Sequence, residues 1–295
     1  MAILTTVFKR LNIPIAAHKT VGPETTLEYL GLILDTLLFE TRLPQEKVDR
    51  MKAMINRVGS HDRVTKRKLL QLLGHFVNAT KVILPGRAFM SFLFRLSTTV
   101  TPLHHHLRLS REARLDLGMW SSFLQNWNTR SLFLELATIS NADLELFTDA
   151  SGSIGHGAIF QDRWFSGTWD VDFLGLAQNT RESALIELFP IVAAAFIWGS
   201  LWQRKRIVFY CDNEPLVYIL NKGRSQCPLI MRFIRRLTLI SMEHSFYVTA
   251  QHIPGIHNSI SDALSRQQIH KFRQLAPYAR QIPETIPPLS SLLYP

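Results

Sequence analysis

Two apolar runs that each end in an aspartate constrain the fold of this chain more than any other feature. Residues 144–149 alternate apolar and polar side chains and close on Asp149, and the run at 207–211 is followed at once by Asp212. Short runs of this kind are typical of sheet strands. Because strand ends can converge at one edge of a sheet, we expect the two carboxylates to lie close together there.

Two further acids stand near predicted helix starts. Glu187 lies near the start of a long apolar helix, and Pro190 requires that helix either to begin close to Glu187 or to kink there. The helix dipole favours a carboxylate at such a position. Asp262 opens a short helix behind the loop at residues 252–258. Taken singly, each acid could equally be a helix cap or a solvated turn residue.

Four carboxylates at one edge would repel one another unless cations held them. Mg²⁺ selects hard oxygen ligands, and two ions roughly 3.5–4 Å apart can hold the attacking water and the leaving oxygen of a phosphoryl displacement. The pattern therefore predicts a two-metal phosphodiester nuclease that uses Mg²⁺, for which Mn²⁺ can substitute. The expected metal ligands are Asp149, Glu187, Asp212 and Asp262.

Four short motifs follow one another in this part of the chain. They are Thr-Asp-Ala-Ser at 148–151, Ile-Glu-Leu at 186–188, Cys-Asp-Asn at 211–213 and Asn-Ser-Ile-Ser-Asp-Ala-Leu-Ser-Arg at 258–266. In this order they resemble the ribonuclease H domain of retroelement reverse transcriptases. The resemblance implies an α/β fold with a mixed five-stranded sheet flanked by helices. It also implies hydrolysis of the RNA strand of an RNA–DNA hybrid, leaving 5′-phosphate and 3′-hydroxyl ends.

The resemblance also implies a role for each acid. Asp149 would bridge both ions, and Asp262 would help to hold the ion that activates water. Glu187 and Asp212 would hold the ion at the leaving 3′-oxygen.

Other residues near these acids acquire expected roles in the same way. His252 is expected to assist proton transfer or product departure; His257 is its competitor, and either ring could merely pack or cap the loop. Ser151 and Asn213 are expected to contact nucleic acid. Glu214 departs from the family, because many ribonucleases H have a glutamine there that can contact an RNA 2′-hydroxyl. A carboxylate could still accept from that hydroxyl, but nearby phosphates would penalise it.

The upstream half carries a resemblance of its own, in two sets of segments. The stretches at 19–23, 28–36 and 42–47 resemble the sequence just after the polymerase palm in DIRS-type, tyrosine-recombinase retrotransposons, and those at 85–87, 105–110 and 120–124 resemble their thumb and connection. The chain contains no Asp-Asp pair of the kind that a polymerase palm needs, so we do not expect it to polymerise alone. The missing palm and a recombinase are the expected partners within a parent polyprotein. The alternative function is an inactive nucleic-acid-binding or scaffolding remnant of such a polyprotein.

Charge and composition complete the predicted organisation. Residues 1–140 carry nine of the ten net positive charges, and we expect this mostly helical segment, with one β-hairpin, to grip phosphates. A ribonuclease H-like domain is expected at 141–270 and a Pro-rich tail or linker at 271–295. Within the basic segment, a cluster at a predicted helix start is the candidate nucleic-acid contact, although a solvated helix face is almost as good an interpretation. The cluster consists of Arg63, Lys66, Arg67 and Lys68.

Three absences in the sequence indicate an intracellular protein of the cytoplasm or nucleus. The two cysteines make no disulfide framework, which is typical of a reducing compartment. The sequence has no run of 18 uninterrupted apolar residues, so we expect no membrane partner. The N-terminus does not resemble a secretory signal.

Overall fold

The structure, a computed structural model, has a mixed α/β architecture with several small sheets and two units. The first unit comprises Met1–Leu84 and Leu96–Leu134, and the second comprises Pro85–Arg95 and Glu135–Pro295. The described residues are 2–16, 20–126, 130–132, 137–140, 144–180, 183–203, 205–211, 213–252 and 258–294.

In chain order, the first part of the chain contains α1 (Ala2–Arg10), β1 (Thr26–Tyr29), β2 (Leu32–Asp35), β3 (Glu40–Arg42), α2 (Gln45–Gly59), β4 (Arg63–Thr65), α3 (Lys66–Ala79), a 3₁₀ turn (Leu84–Phe89), α4 (Ser91–Ser97), β5 (His106–Arg108), α5 (Arg111–Asn126) and β6 (Arg130–Leu132). Those that follow are β7 (Ala137–Ser140), β8 (Leu146–Ala150), β9 (Gly155–Phe160), β10 (Arg163–Thr168), α6 (Val171–Thr180), α7 (Ser183–Trp198), a 3₁₀ turn (Gly199–Trp202), β11 (Lys205–Cys211), α8 (Glu214–Lys222), α9 (Pro228–Glu243), β12 (Tyr247–His252), α10 (Ser259–Ser265), α11 (Ile269–Leu275) and α12 (Leu289–Leu292).

The first unit contains a sheet of order β1-β2-β3-β6 and a separate antiparallel pair of strands, β4 and β5, which are distant in sequence. A turn separates β1 from β2, because Leu30 and Gly31 both have positive φ angles, of 49° and 73°. Two consecutive residues of this kind form the tight turn that suits a hairpin, and glycine adopts the conformation without strain. The chain therefore reverses between β1 and β2, and the expected hairpin becomes a meander of three strands.

In the second unit, the described strands form two three-stranded sheets, β10-β9-β8 and β12-β11-β7. The first is antiparallel and the second is parallel. The single five-stranded sheet expected from the family resemblance is therefore not confirmed. Strand β11 pairs with β12 on one side and with β7 on the other, and β7 lies upstream of the expected first strand at 144–149. Glu145, with φ of 57°, interrupts that expected strand, because a left-handed residue cannot continue extended backbone.

The central helix of the second unit is α7. It runs through Pro190 and buries residues on all sides, including Leu188 and Trp198. With the 3₁₀ turn after it, the segment Ser183–Trp202 is the one described helix long and apolar enough to cross a membrane by composition, and two thirds of that window lies buried inside the protein. An apolar helix that packs on every side is typical of the core of a folded domain.

The expected linker at 271–295 packs against the second unit instead. Phe272 is fully buried, and its ring lies 4.8 Å from that of Trp164 on β10. Farther along, the backbone N–H groups of Arg280 and Glu284 donate to the carbonyls of Asp162 (2.8 Å) and Trp164 (2.7 Å). Prolines are tolerated at the edge of a sheet, where no donor is required of them. The tail therefore covers the outer edge of β10.

A buried arginine ties the segment Pro85–Arg95 to this unit. Arg235 on α9 is 2% exposed, and its guanidinium carbon lies 4.3 Å from the centre of the Phe92 ring and 5.7 Å from that of Tyr294. The guanidinium also donates to the carbonyl of Ala88 and to Ser91 Oγ, both at 3.2 Å. Cation–π contacts and hydrogen bonds together compensate a buried charge. Segments on both sides of the expected boundary at residue 140 thus share one core.

His156 on β9 is buried among aromatic side chains. Its ring centre lies 4.6 Å from that of Trp169 and 4.4 Å from that of Phe189. Within the described part of the chain, neither of its ring nitrogens has a hydrogen-bond partner. Burial disfavours the charged imidazole and lowers the pKa of His156 to about 4.

This pKa predicts a loss of stability in mild acid. Because the pKa of His156 lies below the ordinary value of 6.5, the unfolded chain binds a proton more readily than the folded chain as the pH falls between these values. The free energy of unfolding should therefore fall by about 3 kcal/mol from pH 6.5 to pH 4 through this residue alone. In denaturation curves recorded across this range, His156→Leu should lose that part of the pH dependence. His270→Leu, at an exposed site on α11, is the control, and an equal effect of both substitutions would contradict the prediction.

Candidate active site

The end of β8 and the short helix α10 form the centre of the candidate site. Asp149 on β8 lies in register with Gly157 on β9. A Cβ atom at Gly157 would lie 2.4 Å from Leu264 Cβ on α10, closer than packed atoms can approach. The absence of a side chain at Gly157 therefore allows α10 to lie directly on this sheet, beside Asp149.

Two polar side chains fasten α10 to β8. The hydroxyl of Ser265 donates to Asp149 Oδ2, and the side-chain amide of Asn258 donates to the carbonyl of Thr148 at 2.8 Å. Ser261 donates in turn to Asn258 Oδ1. Both ends of the helix are thus held to the strand that carries Asp149. Neither Ser265 nor Asn258 was predicted as a site residue, although both belong to the closing motif at 258–266.

The fourth acid of the predicted set lies on this helix. Arg266 Nε donates to Asp262 Oδ1 at 2.6 Å. The hydrogen bond to Asp262 raises the pKa of Arg266 above its usual value, and the negative charges of Asp262 and Asp149 raise it further. One guanidinium is therefore close enough to respond to both carboxylates. The structure thus brings Asp149 and Asp262 into one site.

Of the two remaining predicted ligands, Glu187 and Asp212, only Glu187 lies within the described residues. Glu187 lies on the second turn of α7, a helix that packs against β8. Asp212 lies outside the described residues, as does His257. Asn213, which follows Asp212, caps α8 by accepting from the N–H of Leu216 at 3.0 Å, and it donates to Ser183 Oγ at 3.2 Å. This second bond links the start of α8 to the start of α7.

Two other predicted site residues, His252 and Ser151, lie at or just beyond the ends of strands. His252 ends β12 and lies in register with Cys211, the last residue of β11, so it stands beside the strand that leads to Asp212. Its side chain is exposed. Ser151 follows β8, and its carbonyl accepts from Trp169 Nε1 at 2.6 Å.

The donor chemistry of this site suits magnesium. Among the described residues, no group of three or more His, Cys, Asp or Glu side chains is arranged to hold a metal ion. Asp149 and Asp262 nevertheless supply carboxylate oxygens at the two residues that bond to Ser265 and Arg266, and Mg²⁺ is commonly bound through one or two carboxylates while it keeps several waters. Asp149 and Asp262 therefore offer the kind of oxygen ligand that a magnesium ion prefers.

The predicted basic cluster lies in the first unit, where β4 meets α3. The side chains of Arg67 and Lys68 are exposed at the start of α3. Lys66 has a partner within the fold, because its amine donates to the carbonyl of Val100 at 2.6 Å. Arg63 is also exposed and pairs in register with Arg108 on β5, another exposed cation. The role of the cluster as a nucleic-acid contact stays a prediction.

Comparisons with known proteins give weak likenesses. No family model matches the chain, and no curated protein matches it. The structure is similar to that of a foamy viral protease-reverse transcriptase dRH in complex with double-stranded DNA, with 15% identity, a TM-score of 0.35 and coverage of 86% of this chain and 43% of that one. It is also similar to a foamy viral protease-reverse transcriptase in complex with an RNA/DNA hybrid, with 14% identity, a TM-score of 0.36 and coverage of 97% and 34%. This chain spans less than half the length of either protein.

Proposed function

We propose that the second unit is a ribonuclease H-like nuclease that hydrolyses the RNA strand of RNA–DNA hybrids with two Mg²⁺ ions. The observation that carries the proposal is the joining of Asp149 and Asp262 in one site, with Ser265 and Arg266 each bonded to one of the two carboxylates. Two carboxylates that approach one another within a fold require compensating positive charge, which divalent cations supply.

The sheet pairings support the same proposal. Strand β7 pairs with β11, and β8 pairs with β9. If β7 and β8 serve as two parts of one first strand, the two small sheets together have the strand order of a mixed five-stranded sheet. In such a sheet the end of β8 and the end of β11 would be neighbours, and Asp149 and Asp212 would act together.

Each polar residue has a role in the proposed reaction. Asp149, Glu187, Asp212 and Asp262 would be the metal ligands, and the bound ions would activate water and stabilise the leaving 3′-oxygen. Ser265 orients the carboxylate of Asp149. His252 would assist proton transfer or product departure.

We further propose that the chain derives from the reverse transcriptase of a DIRS-type retrotransposon and acts inside the cell, in the cytoplasm or nucleus. The motifs at 148–151 and 258–266 support the nuclease activity in this proposal. We do not expect the chain to polymerise alone, because it contains no Asp-Asp pair. Glu214, exposed at the first turn of α8, favours the alternative of an inactive binding or scaffolding remnant, because its carboxylate would repel a phosphate backbone.

Incubation of the full chain with a labelled RNA–DNA hybrid distinguishes the two functions. A nuclease should shorten the RNA strand in Mg²⁺, leave the DNA strand intact and stop when a chelator is added. A binding remnant should retard the hybrid without shortening it, and that result would overturn the proposed activity.

The basic cluster leads to a separate prediction about binding. Arg67→Ala combined with Lys68→Ala should reduce the salt dependence of hybrid binding, lowering the slope of log K against log salt by about 2, because each lost phosphate contact contributes about 0.9. Fluorescence anisotropy with a labelled hybrid, in a chelator to prevent cleavage, measures this slope. Lys81→Ala is a matched control, since Lys81 is exposed just beyond the other end of α3. An unchanged slope in the double variant would exclude this surface as the contact.

A further inference from the structure

The last residue of α10, Ser265, and the C-cap residue that follows it, Arg266, contact the two acids of the candidate site. Ser265 is bonded to Asp149, and Arg266 is bonded to Asp262. Arg266 therefore places a positive charge at the carboxylates where the proposed function requires a metal ion. The guanidinium occupies Oδ1 of Asp262, one of the oxygens that a metal ion would use.

The pair between Arg266 and Asp262 is open to solvent. The side chain of Arg266 is 50% exposed, and that of Asp262 is 35% exposed. Exposed ion pairs are weak, because water screens the charges and each side chain gains freedom when the pair opens. The guanidinium can thus leave the carboxylate without exposing an unpaired charge in the protein interior.

We propose that Arg266 is a built-in counter-cation that occupies the acidic site without metal and competes with Mg²⁺ for Asp262. The inference rests on the proposed function. In the absence of metal, the guanidinium offsets the repulsion between Asp149 and Asp262. When Mg²⁺ binds, the arginine releases Asp262 Oδ1 and leaves the carboxylates to the ion. The chain therefore binds magnesium less tightly than its carboxylates alone would allow.

An ordinary helical ion pair is the competing explanation, and the chain contains a matched example. Arg50 and Glu46 on α2 form a pair with the same spacing of four residues, also exposed to solvent. If the pair between Arg266 and Asp262 served only α10, substitutions of Arg266 and Arg50 would have the same negligible effect on magnesium binding.

Calorimetric titration of the full chain with Mg²⁺, without nucleic acid, tests the proposal. Arg266→Gln should bind Mg²⁺ about three- to tenfold more tightly than the wild type, which is the size of effect expected when one positive charge is removed near a divalent ion in an exposed site. Arg266→Lys, which keeps the charge, should remain closer to the wild type. The difference should shrink as NaCl is raised, because salt screens exposed charges. Arg50→Gln should not change the affinity.

Each result separates this inference from the function on which it rests. Unchanged or weaker Mg²⁺ binding by Arg266→Gln, or an equal gain in Arg50→Gln, would overturn the counter-cation role and leave a magnesium-binding wild type intact. If neither the wild type nor Arg266→Gln bound Mg²⁺, the two-metal function and the counter-cation role would both be wrong. Circular dichroism in a chelator should show the same folded spectrum for all four proteins.

Discussion

Asp149→Asn should reduce cleavage of an RNA–DNA hybrid by roughly 10³-fold, because bound metal ions contribute several kcal/mol to the stabilisation of the transition state. The substitution removes the charge of the carboxylate but keeps its shape. The amide oxygen can still accept the hydrogen bond from Ser265. The fold should therefore survive, and relief of the repulsion with Asp262 should leave the melting temperature equal or higher.

Time courses of hybrid cleavage in Mg²⁺ and thermal melts together check this expectation. Glu243→Gln removes an exposed carboxylate at the end of α9 and should leave the rate unchanged. Asp212→Asn should have an effect of the same order as Asp149→Asn, and it tests the ligand that lies outside the described residues. Activity within tenfold of the wild type in Asp149→Asn would exclude the proposed metal site.

Arg235→Ala should lower the free energy of unfolding of the second unit by about 3 kcal/mol. The substitution removes a fully buried side chain from its contact with Phe92 and leaves the Ala88 carbonyl and the Ser91 hydroxyl without this donor. Lost packing and unsatisfied buried polar groups each destabilise by 1 kcal/mol or more, on the order of the values seen for buried sites.

Denaturant titration followed by tryptophan fluorescence measures the change. Arg224→Ala is the control, because Arg224 is exposed before α9 and its loss should change stability by no more than about 0.5 kcal/mol. Tyr294→Ala should destabilise the same unit, since its ring lies against the guanidinium of Arg235. Equal stabilities for Arg235→Ala and Arg224→Ala would show that the buried arginine does not hold this core together.

Local sequence patterns predicted the elements of the second unit better than their assembly. Strands β9 and β10 lie in the segments 155–161 and 163–169, where apolar runs separated by a tight turn are local signals of paired strands. The pairing of β7 with β11 was not predicted, since β7 is only four residues long and its partner is distant in sequence. Pairing of this kind depends on the whole domain, which a short pattern does not record.

In the candidate site, too, the sequence predicted individual residues better than the contacts between them. The acids were recognised because each stands at the end of a strand or the start of a helix, and the structure joins two of them. The roles of Ser265 and Arg266 depend on how α10 lies against β8, which the closing motif does not specify. The packed tail was expected to be a linker because proline excludes helix and central strand, but proline does not exclude an extended segment along a sheet edge. The apolar residues between the prolines, such as Ile286 beside Gly167, were the available signal.

The contact of Arg235 with Phe92 and Tyr294 sets an order of events during synthesis of the chain. The segment Pro85–Arg95 leaves the ribosome long before Tyr294, and about 200 residues at roughly 5–20 residues per second take about 10–40 s to make. During that interval, Phe89 and Phe92 lack their final partners and present aromatic surface to chaperones or to other nascent chains. The second unit can therefore complete this part of its core only after Tyr294 has been synthesised.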